Sequence, residues 1–181
     1  MVGKADPFAG KLFNEFPPQP PYGSNEKYQA HLLEQYKLYV EMADRISARR
    51  QSANSYFLAI NTGLVGLIGY VTTKETGEYL WLMAGAGMAI CYLWYRLIRS
   101  YRGLNSGKFK VIHFIEKRLP LSPYDAEWEA IGRGEDPKLY KPFTHIENGV
   151  PWVFMALHAV VFIRMLPWRI VSNSLRTVGL G

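Results

Sequence analysis

Cysteine is nearly missing from this chain. Cys91 is the only one among 181 residues, which excludes an internal disulfide and a cysteine-based metal cluster. Glycine and proline are missing from Asn25 through Thr62, so nothing in that stretch interrupts a helix. Acidic residues are in deficit, 15 against 21 lysines and arginines, leaving a formal net charge of +6. The N-terminal MVGKADPFAGKLF lacks an apolar core and a small-residue cleavage site, so no removable signal peptide is expected. Phosphate loops, nucleophile elbows and zinc-ligand spacings are also missing.

The most telling shortage is of charge in two places. Ala53 to Thr72 and Tyr79 to Tyr95 contain no formal charge. A helix rises about 1.5 Å per residue and a bilayer core is about 30 Å thick, so both runs can be spans. The second then extends to Leu97 or Ile98, with Arg96 snorkelling. A soluble core helix would keep one wet face, and these runs are apolar around their whole circumference. Only Thr73 to Glu78 separates them, so they return as an antiparallel hairpin.

Charge orients the hairpin. Arg45, Arg49 and Arg50 precede the first run, whereas Arg96, Arg99, Arg102, Lys108 and Lys110 follow the second. Both long flanks are therefore expected on the cytoplasmic side. Anionic lipid headgroups account for this basic collar, and a nucleic-acid partner is not needed to explain it.

The expected fold is an all-α membrane protein. Residues 1–23, with FPPQPPYG, read as a Pro/Gly-rich flexible arm. Residues 24–52 read as a cytoplasmic amphipathic helix, with Tyr28, Leu32, Tyr36, Tyr39, Ala43 and Ile46 recurring at three- and four-residue steps. This helix should continue unbroken into the hairpin at 53–98, with spans 53–72 and 79–98. Residues 99–148 form a cytoplasmic helical region: Asn105 to Leu119 up to Pro120, then a short helix started by Ser122 and Pro123. Residues 149–171 are an apolar helix of uncertain placement, and 172–181 a tail. Pro151 near the start of that helix and Arg164, Arg169 and Arg176 after it favour an interfacial, re-entrant or intersubunit helix over a third span.

No catalytic residue, cofactor site or metal site stands out, and no enzymatic activity is expected. His113 and Glu116 are one helical turn apart, but they lack the second carboxylate pair of a di-metal bundle and read as a solvated face. Asn54, Asn61 and Thr62 are the candidate pore or interhelix polar positions of the first run. They serve either interhelix bonding or the lining of a pore, with packing the favoured role. Gly66, Gly69, Gly85 and Gly87 permit close helix contact. This surplus of contact surface points to a homo-oligomer.

The segments EMADRISARRQSANSYFLAINTGL and CYLWYRLIRSYRGLNSGKFKVIHFIEKRLPLSPYDAEWEAIGRG resemble the RipA-type family of small octameric bacterial membrane proteins, over residues from about 30 to 165. The resemblance implies a homo-octamer in the bacterial inner membrane, multi-pass with a cytoplasmic N-terminus. It brings no established reaction. A looser architectural likeness is to the two-span, membrane-perforating effector domains of bacterial defence systems. Two classes of function stay open: a pore or conductance ring, and a scaffold that gathers envelope or cytoplasmic protein partners.

Overall fold

The computed structural model describes residues 9–14, 25–74, 79–135 and 143–167. The Pro-rich FPPQPPYG, most of the loop between the first two apolar runs, and the chain beyond Pro167 lie outside them. All regular structure among the described residues is helical: α1 (Ala9–Leu12), α2 (Asn25–Thr72), α3 (Leu80–Glu116), α4 (Pro123–Ala130) and α5 (Phe143–Met165), with a 3-10 turn at Gly132–Gly134. α1 falls within the stretch expected to be a flexible arm.

α2 is one helix of 48 residues, about 72 Å long at 1.5 Å per residue, unbroken over the glycine- and proline-free stretch to Thr62 and continuing through Gly63, Gly66 and Gly69. α3 differs from expectation. A separate helix was expected from Asn105, but the helix runs through Gly103 and Gly107 without a break. The reason lies in its burial pattern. Leu80, Ala84, Gly87, Cys91, Trp94, Ile98, Tyr101, Asn105, Lys108, Ile112 and Ile115 are buried or half-buried, and every step between them is three or four residues. Such a seam holds one helical phase throughout, and it outweighs the roughly 1 kcal/mol that each interior glycine costs.

α5 also differs from expectation. It starts at Phe143, earlier than the 149 expected, and runs through Pro151. α2, α3 and the Glu147–Met165 part of α5 are each long and apolar enough to cross a membrane.

The chain divides into two compact units, residues 1–50 with 100–142, and residues 51–99 with 143–181. In the first unit Leu32, Ala43, Ile112 and Ile115 form the apolar core. Lys108, buried with them, places its ammonium 4.4 Å from the centre of the Tyr39 ring, where the π-face partly replaces lost water. The tyrosine stripe of α2 is thus a packing surface. Glu116 overturns the expectation of a solvated face, because it is fully buried. Its carboxylate accepts hydrogen bonds from the Tyr36 hydroxyl at 2.9 Å and from the backbone N–H groups of Tyr124 at 3.1 Å and Asp125 at 3.3 Å. Tyr124 and Asp125 lie in the first turn of α4, whose N-cap residue, Ser122, makes no side-chain capping bond. A carboxylate from α3 therefore caps α4, satisfying donors that a helix start leaves open.

Candidate functional site

The second unit contains the residues singled out within the apolar runs. Asn61 of α2 is fully buried. Its Nδ2 donates to the Phe57 carbonyl one turn earlier, at 2.8 Å, which fixes the orientation of the amide. The Oδ1 then accepts from the Cys91 thiol of α3 at 3.1 Å and lies 3.2 Å from His158 Nε2 of α5. An amide oxygen can only accept, so the imidazole must carry its proton on Nε2. One amide thereby joins three helices. Nδ1 of His158 is buried and has no hydrogen-bond partner among the described residues.

Gly87 makes room for this ring. A Cβ placed there would lie 2.6 Å from His158 Cε1 and Nδ1 and 2.7 Å from Nε2, closer than carbon tolerates. The other three glycines differ. At Gly85 a Cβ would meet only Phe162, at an ordinary 3.5 Å, and at Gly66 and Gly69 it would meet nothing within 4 Å.

A second polar link lies nearer the start of α5. Trp94 Nε1 donates to Asn54 Oδ1 at 2.9 Å, and Asn54 Nδ2 donates to Glu147 Oε1 at 3.1 Å. Again one amide of α2 reaches both α3 and α5. Between and beyond these links, aromatic rings pair α5 with α3 in descending order: Trp152 with Tyr95 at 5.3 Å, Phe154 with Trp94 at 6.3 Å and Phe162 with Trp81 at 6.3 Å. α5 therefore runs antiparallel along the apolar length of α3. Sequence reasoning marked Asn54 and Asn61 but none of their partners. The only advance signal of those was that His158 is the one polar residue between Val150 and Ile163.

Thr62 is exposed on the outer side of α2. The basic residues fall in both units. In the second, Arg96 and Arg99 are exposed and donate to the hydroxyls of Tyr92 and Tyr95, each four residues earlier, at 3.1 and 3.2 Å. Each guanidinium also lies about 6 Å from the centre of that same ring. Cationic and aromatic side chains paired in this way suit a headgroup layer. In the first unit Arg45 pairs with Glu41 at 2.7 Å, Arg49 and Arg102 are exposed, and Arg50 is half-buried.

Chemically the described side chains of the second unit offer buried hydrogen-bond donors and acceptors. Among the described residues no group of three histidine, cysteine, aspartate or glutamate side chains is placed to hold a metal. In the first unit a shallow cavity of about 100 Å³, lined by Leu12, Phe13, Tyr28, His31 and neighbours, is below the size of small-molecule sites, which start at about 300 Å³.

Comparison with known proteins adds one match: the model of the Octameric membrane protein family (8xMP) matches residues 33–167. No curated protein and no solved structure matches the chain.

Proposed function

Because this chain belongs to the octameric membrane protein family, we propose that eight copies assemble in a bacterial inner membrane as a scaffold, with the N-terminus and the basic flanks in the cytoplasm. The positive-inside bias supports that orientation. α2, α3 and α5 are taken as three crossings, which the ring pairs between α5 and α3 support. A third crossing exports Arg164, Arg169 and Arg176, but the cytoplasmic side still holds most of the arginine and lysine near the spans.

One observation carries the choice of a scaffold over a pore: the amides best suited to line water are used within the protomer. Asn61 is fully buried, and Asn54 is bonded on both sides. A lumen would have to be lined by other groups. Anionic lipids at Arg96 and Arg99, and a cytoplasmic protein bound through the first unit, are the partners this reading involves.

The pore reading keeps one observation in its favour, since Ser55 and Thr62 present hydroxyls on one exposed flank of α2. Conductance separates the two. Octamers reconstituted in planar bilayers are expected to leave the baseline unchanged, and cysteines introduced at Ser55 and Thr62 to stay unlabelled by impermeant thiol reagents. Stepwise conductance abolished by such labelling would replace the scaffold with a pore.

A further inference from the structure

Arg96 and Arg99 follow the charge-free run of α3, both exposed and about 60° and 4.5 Å apart on the helix. α3 leaves that run in the direction of rising residue number, so an arginine seeking water would extend forward. Both instead reach back one turn. Arg96 donates to the Tyr92 hydroxyl and Arg99 to that of Tyr95, and the guanidiniums lie 5.9 and 5.8 Å from the respective ring centres. The tilt of Cα–Cβ bonds towards a helix start favours this direction, and the phenols hold it. Tyr95 is itself packed edge-on against Trp152 of α5 at 5.3 Å, and Trp152 is 53% exposed. No carboxylate answers these two charges within the unit. Its one described acid, Glu147, bonds Asn54, and neither guanidinium has a further hydrogen-bond partner among the described residues. A guanidinium has five N–H donors, so all but one remain open on each, and each phenol keeps its own O–H to donate.

We infer that Arg96 and Arg99, with Tyr92 and Tyr95, form a binding site for the phosphate of an anionic phospholipid, and that Trp152 is the wall along which its glycerol and first acyl carbons lie. The inference rests on the bilayer placement given under the proposed function, and it turns a general attraction for anionic headgroups into a structured site. A guanidinium turned back towards hydrocarbon needs an anion at its own depth. Lipid phosphate is the anion at that depth, whereas a soluble anion would have to shed its water to pass beneath the headgroups. Arginine meets phosphate with two parallel N–H···O bonds, and the neighbouring phenol offers a third donor. Because each tyrosine fixes its guanidinium before the ligand arrives, less ordering is left for binding to offset. A headgroup with an ammonium brings its own counter-charge, so two unmatched arginines select a headgroup without one. Tyr92 and Leu93, 49% and 60% exposed, continue the surface into the apolar run, where acyl chains would follow.

The test titrates the full chain in detergent with phosphatidylglycerol or phosphatidylcholine and counts retained lipid by native mass spectrometry. Phosphatidylglycerol should bind saturably and phosphatidylcholine should not. Arg96→Lys with Arg99→Lys keeps both charges but loses the planar fork, and retention of phosphatidylglycerol should fall about tenfold, the equivalent of one charge-assisted hydrogen bond. Tyr92→Phe with Tyr95→Phe also leaves the charge unchanged and should weaken retention in the same direction. Lysine and phenylalanine variants that bind as the wild type does, equal retention of the two lipids, or displacement by excess inorganic phosphate overturn the site while leaving the bilayer placement standing. The placement has its own readout: labelling of Ser100→Cys by an impermeant reagent outside intact cells overturns the cytoplasmic orientation, and the titration still decides the site.

Discussion

The imidazole of His158 lies directly against Gly87, so closely that three of its ring atoms occupy the space a β-carbon would need. α5 and α3 approach each other here only because one of them has no side chain. Gly87→Ala should therefore destabilise the protein by about 1–3 kcal/mol, the usual range for overpacking. Gly85→Ala, two residues away, should be nearly neutral. Thermal unfolding of the purified protein in detergent checks both, and His158→Ala should restore part of the loss in the Gly87→Ala background.

Asn61→Leu removes an acceptor shared by Cys91 and His158. Each hydrogen bond between membrane helices contributes about 0.6 kcal/mol on average, with a maximum near 1.7. The leucine variant should lose about 1–3 kcal/mol on that basis. A Cys91→Ala change made on top of it should cost less than the same change in the wild type, a difference that a double-mutant cycle measures.

Glu116→Ala should loosen the first unit selectively. It leaves the Tyr124 and Asp125 N–H groups and the Tyr36 hydroxyl without their acceptor. Hydrogen bonds to a charged group contribute about 1.5–3 kcal/mol. Limited proteolysis should then cut first near α4, and hydrogen exchange at Tyr124 and Asp125 should rise well above that of the wild type.

The phenols of Tyr36 and Tyr124 both have raised pKa values. Burial is the largest cause for each; Glu116 adds to it at Tyr36, and Asp44, then Glu127, at Tyr124. In the unfolded chain these phenols ionise near the ordinary value of about 10. Above that pH the folded state holds more protons than the unfolded one, so their contribution to stability is intact below about pH 10 and declines as pH rises past it. Phenolate absorbance should show Tyr36 and Tyr124 ionising late. Tyr36→Phe should remove one of them and flatten the alkaline decline.

The proposed third crossing is checked by the position of the C-terminus. A reporter active only outside the cytoplasm, fused after Gly181, should be active, and the same reporter fused ahead of α2 should be silent. Activity at neither end would return α5 to a re-entrant or interfacial path.

What the sequence revealed in advance depended on how local the causes were. α2 was legible from end to end because helix breakers are missing over a long stretch, and the apolar runs disclosed themselves by lack of charge. The continuity of α3 was hidden because Gly103 and Gly107 look like punctuation, while the seam that overrides them is visible only once burial is known. Glu116 was misjudged for a similar reason: its partners are the N–H groups of a helix that folds back on it, and spacing along α3 carries no trace of them. Asn54 and Asn61 stood out as polar residues in an apolar run. Their partners lie 30 to 97 positions away, and no periodicity links residues so far apart.

The shared amide also sets an order for biogenesis. Ribosomes deliver α2 and α3 before α5, so the hairpin can present the Asn61 oxygen before His158 reaches the membrane. On the proposed three-crossing topology, the hairpin supplies the acceptor and the glycine notch that receive the His158 ring of α5. On that topology the hairpin is a template for the last crossing, and chains halted before Phe143 should still integrate.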